Sequence, residues 1–306
     1  SDNWQQSFSF TRFSDDYDVN DFGFLSRNDL QRLYYANERY FNDFSSDDRL
    51  KERRLEATFK VDRNSKGLHL ETEIRVNGTE EYKDTSSLFW QLVHYTSGND
   101  DRVSRGNGIF NYHSGNKIFG EYNFGNQNKF RHHLAVGLQN KDVDGKGASF
   151  HYHPSYYFTD NYRVSWSLWA VKERDRLFWM DDNLTRYRFT SIKNSLDFDA
   201  TIDDKQELRV RFQWISVTGK EGVKQAIATN DDLYSTGITA NDFSRSTTRF
   251  QIRYRYEIAP LSNVYLVYSR GGESINDLNQ SNLELFSEGW GERTGDNVVA
   301  KIRYRF

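Results

Sequence analysis

The sequence predicts an all-β protein, an antiparallel transmembrane β-barrel to which this chain contributes roughly 14 to 16 strands. Three observations carry the expectation. Apolar and charged residues alternate along segment after segment, the apolar positions are thick with Tyr, Trp and Phe, and short turns are interspersed with long polar connections. A side-chain period of two places alternate residues on opposite faces of a strand. In a membrane barrel one face meets lipid and the other a watery lumen.

Taken in chain order, Leu55, Ala57, Phe59 and Val61 lead through a turn at Asn64-Ser65-Lys66-Gly67 to Leu68, Leu70, Ile74 and Val76. Glu56, Lys60, Glu71, Glu73 and Arg75 take the other face. The same grammar runs through Phe130, Leu134, Val136 and Leu138, then Phe150, Tyr152, Tyr156 and Phe158, then Tyr162, Val164, Trp166, Leu168 and Ala170. Ile192, Leu196, Phe198, Ala200 and Ile202 are separated by the turn Asp203-Asp204-Lys205 from Leu208, Val210, Phe212 and Trp214. Phe250, Ile252, Tyr254, Tyr256 and Ile258 turn at Ala259-Pro260-Leu261-Ser262 into Val264, Leu266 and Tyr268, a tight hairpin. The chain ends with Ala300, Ile302, Tyr304 and Phe306 on one face and Lys301, Arg303 and Arg305 on the other.

About fifteen segments of this kind are present, each near the 9 to 11 residues that a tilted strand needs to cross a bilayer. Single-chain bacterial barrels have even strand numbers. Either one segment, around Arg176 to Met180, is miscounted, or part of the wall lies outside this sequence. The long connections are Ser14 to Arg27, Ser97 to Gly106, Gly219 to Asn241 and Gly271 to Asp296. A soluble sandwich also alternates, but its inner faces are mostly Val, Ile and Leu packed on a second sheet. No repeat of fixed blade length supports a propeller.

Composition narrows the classes further. Mean hydropathy is -0.86, and no stretch of roughly 18 apolar residues exists to form a helical span. The chain has 2 Pro and no Cys, and the missing thiols fit an oxidising envelope. No leader opens the sequence, so an exported protein would be represented here by a processed or trimmed chain. A net charge of -3 without a basic run gives no expectation of a nucleic-acid partner.

The terminal pair Tyr304 and Phe306 resembles the signal read by the bacterial barrel-assembly machinery. The segment Val19-Asn20-Asp21-Phe22-Gly23-Phe24-Leu25-Ser26-Arg27-Asn28-Asp29 resembles a landmark of a family of Gram-negative envelope proteins. That family joins an N-terminal carbohydrate-binding family-nine-like domain to a C-terminal barrel region. Asp100-Asp101-Arg102-Val103-Ser104-Arg105-Gly106 and the stretch Phe250 to Ser269 match the same pattern in order. The resemblance implies that residues 1–306 form one outer-membrane barrel domain that is the C-terminal part of a longer barrel. It also implies that sugar binding or hydrolysis belongs to parts beyond this sequence.

The most concrete functional feature is charge on the expected lumen face. Arg209, Arg211, Arg249, Arg253, Arg255, Lys301, Arg303 and Arg305 form a basic arc, and Glu56, Glu71, Glu73, Asp197 and Asp199 an acidic arc expected opposite it. Opposed rows of charge sort solutes in a pore. The alternative is that they pair along the wall and stiffen it. Two carboxylates held on either side of a sugar bond can hydrolyse it. Asp100 with Asp101 and Glu80 with Glu81 are adjacent pairs, but neighbours on a strand point apart and acidic loop pairs are usually solvated.

His151 and His153 share a face, and His133 is expected on the adjoining strand, yet nothing supplies a carboxylate to orient them as metal ligands. No catalytic residue, metal or cofactor is therefore assigned. Phe22, Phe24, Tyr234 and Trp290, in long connections, fit stacking on saccharides, contact with a partner, or packing as a plug. The expected function is an outer-membrane channel with a charged lumen. Its partners would be outer-membrane lipid and the assembly machinery. The alternatives are a non-conducting scaffold for carbohydrate or another envelope protein, and an envelope-polysaccharide hydrolase.

Overall fold

A computed structural model describes residues 3–17, 27–45, 49–125, 128–276 and 280–305. Among these the chain forms β1 (Trp4–Phe13), β2 (Leu30–Phe41), β3 (Leu50–Arg63), β4 (His69–Tyr82), β5 (Ser87–Tyr95), β6 (Gly98–Asp100) and β7 (Phe110–Tyr112). It continues with β8 (Gly115–Asn123), β9 (Phe130–Lys141), β10 (Gly145–Thr159), β11 (Tyr162–Met180), β12 (Asn183–Asp203) and β13 (Gln206–Ile227). The last elements are β14 (Leu233–Ala240), β15 (Phe243–Ala259), β16 (Ser262–Asn276), α1 (Asn282–Gly291) and β17 (Arg293–Arg303).

The main sheet is an antiparallel meander in the order β1-β2-β3-β4-β5-β8-β9-β10-β11-β12-β13-β15-β16-β17, with β14 paired to β13 and a separate hairpin of β6 and β7. Among the described residues β1 pairs only with β2 and β17 only with β16, so the sheet keeps two free edges and does not close into a barrel. Fourteen strands lie on the path, an even number. The doubtful segment Arg176 to Met180 is the upper end of β11, which continues past a bulge after Glu173. All four long connections fall at one end of the meander, because each joins a strand of the same direction to its return.

Register fixes the two faces. Direct partners across an antiparallel ladder lie on the same side. Tracing from Tyr254 through Leu208, Ala200 and Tyr162 on one side, and from Arg253 through Arg209, Asp199 and Arg163 on the other, separates an apolar from a charged face. The apolar face carries large side chains that the described residues leave open: Leu138 is 62% exposed, Leu196 48% and Ile302 70%. Asn194 on that face is satisfied in place, accepting a hydrogen bond from the Trp166 indole at 3.4 Å.

The buried cores are small and lie at the end with the long connections. Phe110 packs with Leu177 and Leu184, flanked by Val103, Val143, Trp179, Ile227 and Leu233. The helix α1 begins with a capping box in which Ser281 and Glu284 satisfy each other's backbone N–H. It docks Leu285 and Gly289 on the upper part of the apolar face, where Thr248 Oγ1 donates to the Gly289 carbonyl at 2.6 Å. A side chain at position 289 would collide with Ser246, so the close approach needs glycine. No helix among the described residues is long and apolar enough to cross a membrane.

Candidate functional site

Every charged residue singled out by its alternation falls on one face of the sheet, apart from Arg305. The ladders β12–β13–β15–β16–β17 align Asp199 with Arg209, Arg209 with Arg253, Arg253 with Val267, and Val267 with Val299. Arg211, Arg249, Arg255, Lys301, Arg303 and Asp197 share that side. At the other end of the sheet Glu56, Glu71 and Glu73 occupy the same face, beside Lys60 and Arg75. Arg305 lies just beyond β17, its backbone N–H bonded to Ser262 Oγ at 3.0 Å. Tyr304 is exposed beside it, and Phe306 lies outside the described residues.

The acidic residues do not all stand opposite the basic ones. Asp197 sits 3.2 Å from Arg211, and Asp199 bridges Arg163 and Arg209, the latter at 3.7 Å. Cross-strand neighbours of opposite charge attract directly, and this interleaving follows from their register. Arg255 pairs with Glu207 at 2.8 Å. Glu73 holds Lys60 at 2.9 Å and also Arg75, while Glu71 holds Lys60 at 3.3 Å and Lys141 at 2.8 Å. Glu56 has a looser contact with Arg54 at 3.9 Å.

Four cations of the arc remain on the face, with Arg305 beyond it. Among the described residues no carboxylate lies within ion-pair distance of Arg249, Arg253, Lys301 or Arg303. Arg253 instead lies 5.3 Å from the centre of the Tyr265 ring, and with Lys301 and Arg303 it lines one open depression next to the β17 edge.

The sheet bends toward this charged face. Lys141 on β9 reaches Glu71 on β4 across two intervening strands. The connection between β5 and β8, which contains β6 and β7, shows the curvature more strongly. Tyr112 donates its hydroxyl hydrogen to the Leu70 carbonyl on β4, while the adjacent Asn111 donates its N–H to Asp231 O at 2.7 Å in the β13–β14 turn. Seven strand spacings separate β4 from β13, roughly 34 Å in a flat sheet. Neighbouring residues cannot bridge that distance, so the sheet curls and the connection spans from β4 to the β13–β14 turn.

Several latches hold the connection in place. Arg27 grips Asp101 with two hydrogen bonds of 2.8 and 2.7 Å, and Asn64 approaches the same carboxylate at 3.5 Å. Asp100 accepts the N–H groups of Arg102 and Val103, forming a tight turn. Asp142, in the β9–β10 turn, accepts from the His113 backbone at 3.1 Å and from Arg186 at 2.8 Å. Burial works to raise the Asp101 carboxyl, but the hydrogen bonds and charge of Arg27 outweigh it and hold it below the usual range. Asp142 is likewise lowered, burial being overcome by the His113 N–H and the Arg186 charge. Burial, with Glu71, Asp100 and Asp62 close by, pushes the Tyr112 hydroxyl up and keeps it a donor.

The adjacent carboxylate pairs serve the fold. Glu80 binds Arg53 at 2.8 Å and Tyr82 at 2.8 Å, whereas Glu81 on the opposite face binds Lys51 at 3.4 Å. His133 does sit on the strand next to His151 and His153. Its Nε2 is 3.2 Å from His151 Nδ1, and His151 Nε2 is 3.1 Å from Ser167 Oγ. Among the described residues no group of three or more His, Cys, Asp or Glu has the arrangement to hold a metal ion.

Trp290, expected in an open loop, belongs to α1 and packs on Phe212 and Phe250, with Arg270 stacked on it at 4.1 Å. Tyr234 is exposed on β14, and Phe22 and Phe24 lie outside the described residues. Alternation could not find the latches, because they join loops far apart in sequence. The adjacent Asp100 and Asp101 were the visible trace of one.

No curated protein matches the chain. A family model described as a domain of unknown function, DUF5916, matches residues 1–304. A match over nearly the whole length settles the relationship: the chain belongs to the DUF5916 family.

Proposed function

We propose that this sheet is the wall of an outer-membrane β-barrel, with its charged face toward an aqueous lumen and its apolar face toward lipid. The observation that carries the reading is the contrast between the faces. One leaves Phe8, Leu138, Leu196 and Ile302 exposed on strands from β1 to β17, and the other knits Asp197, Asp199, Glu71 and Glu73 into ion pairs. Water does not favour the first arrangement over so wide an area. Lipid does. In hydrocarbon each unpaired backbone group costs several kcal/mol, so insertion requires the free edges of β1 and β17 to be paired, with each other or with further strands.

The function that fits this wall is a channel selective for anions. Arg249 and Arg253 on β15, and Lys301 and Arg303 on β17, lack acidic partners among the described residues and stand on one face to either side of β16. A cationic arc of that kind lowers the barrier to anions and raises it to cations. Conductance of the purified chain in a planar bilayer, after heat-shifted gel mobility has shown a folded barrel, tests the reading. Anion-selective steps support it, and silence from a folded sample contradicts it.

The latched β5–β8 connection favours a second reading, a plugged wall that serves as a scaffold for carbohydrate or another envelope protein. Conductance that appears only when the Arg27–Asp101 pair is broken would identify that case.

A further inference from the structure

We infer that Lys146, Lys172 and Arg174, with Arg188 and Lys220 beside them, form a docking site for the phosphate of a membrane-lipid headgroup. The inference rests on the membrane-wall reading above and adds to it a specific lipid contact.

Register places all five on the apolar face. Lys146 is the direct partner of Arg174, and Arg188 of Lys220. Lys172 pairs with Ala148 and Thr190 in the next row. The row below that is Val136, Phe150, Ala170 and Ile192, the upper part of the uncovered apolar band. Two residues along a strand advance about 6.7 Å, so the cations begin one headgroup's height above the hydrocarbon-facing side chains.

Like charges placed directly opposite one another destabilise a sheet. Here two such pairs occur on adjoining hairpins of one surface. Arg188 is relieved by Glu221 at 2.7 Å, but no carboxylate among the described residues lies within ion-pair distance of Lys146, Lys172 or Arg174. These three are exposed. The opposite face of the same strands does the reverse, matching Arg163, Arg209 and Arg211 to Asp197 and Asp199.

An unbalanced cation cluster at the rim of an apolar band calls for an anion that brings its own apolar chains. A phosphorylated lipid has both parts. A soluble phosphate would gain nothing from Phe150 and Val136 below the charges.

Native mass spectrometry of the folded chain in detergent micelles, with bisphosphorylated lipid A as the probe and phosphatidylcholine as reference, tests the site. The variant K172Q/R174Q is compared with K301Q/R303Q on the opposite face, and vesicle insertion is measured for both. The expected result is lipid A binding weakened about thirty-fold in K172Q/R174Q and unchanged in K301Q/R303Q. If K172Q/R174Q gives no heat-shifted folded form, the single variant K146Q is used, with about five-fold weakening expected.

Equal lipid A binding in wild type and variant overturns the site, as does equal loss in both pairs. Complete displacement by 10-fold excess inorganic phosphate over lipid A would show a soluble-anion site and also overturns it. A chain that fails to insert into vesicles contradicts the wall reading itself, whereas an inserted chain whose lipid binding ignores residues 172 and 174 contradicts the lipid site alone.

Discussion

Arg27 and Asp101 stand 74 positions apart and meet in a two-pronged ion pair, with contacts of 2.8 and 2.7 Å and both side chains 17% exposed. They belong to the two short stretches, Val19 to Asp29 and Asp100 to Gly106, that stand out as landmarks in the sequence. The planar guanidinium matches a carboxylate through parallel hydrogen bonds, which gives direction as well as attraction. One arm comes from the β1–β2 connection and the other from the β5–β8 connection, the chord that runs from β4 to the β13–β14 turn.

Breaking that pair should release the chord. Asp101→Asn leaves the largely buried Arg27 charge without its partner, at a cost of about 2 kcal/mol, below the range for full burial. Hydrogen exchange over Gly98 to Tyr112 should quicken at least ten-fold, while the β12–β13 ladder keeps its protection.

Acid should act on the same latches. Asp101 and Asp142 both have lowered pKa values in the folded protein. A lowered carboxyl contributes stability that is fully present above the unfolded value, about 3.9, and is lost as pH falls through the folded one. Exchange of Gly98 to His113, corrected for intrinsic rate, should therefore be flat from neutral pH to about 5 and rise below about 4. Asp101→Asn/Asp142→Asn should be loose at every pH and lose that dependence.

Ion selectivity should depend on the unpaired cations more than on the paired ones. Arg253→Gln/Arg303→Gln removes two charges that no acid among the described residues balances, and should cut the anion-to-cation permeability ratio several-fold. Arg209→Gln leaves Asp199 with Arg163 and Glu207 with Arg255, and should change the ratio less. Reversal-potential measurements in a salt gradient separate the two.

The faces themselves were legible in the sequence, because a period of two survives wherever one side of a strand must differ from the other. Leu208, Val210, Phe212 and Trp214 against Arg209, Arg211 and Gln213 needed no structure to sort. What alternation could not show was how charges meet across strands. Asp199 was expected opposite Arg209 and is its neighbour, because register between strands depends on turn length and bulges. The helix α1 was hidden for another reason. Its Gly289 contacts Ser246 and Thr248 on β15, and a short amphipathic stretch inside a long polar connection resembles a loop. Closure was also beyond the pattern, since strands at a free edge alternate like any others.

The helix gives one further test. Gly289→Val places a side chain where Ser246 sits and should lift α1 from the sheet, costing about 1 to 3 kcal/mol. Tryptophan fluorescence, dominated near this site by Trp214 and Trp290, should shift to longer wavelength as Trp290 leaves Phe212 and Phe250.

The most direct measurement of the wall itself uses the absence of cysteine from the chain. Single cysteines at successive positions from Asn194 to Ala200, on β12, are labelled with a nitroxide and the protein is inserted into vesicles. Power saturation then compares access to oxygen, which concentrates in lipid, with access to a water-soluble nickel complex. A membrane wall gives strict alternation, with positions 194, 196, 198 and 200 favouring oxygen and 195, 197 and 199 favouring nickel. Equal access of the nickel complex to both sets, in vesicles that hold the folded chain, would contradict a membrane wall.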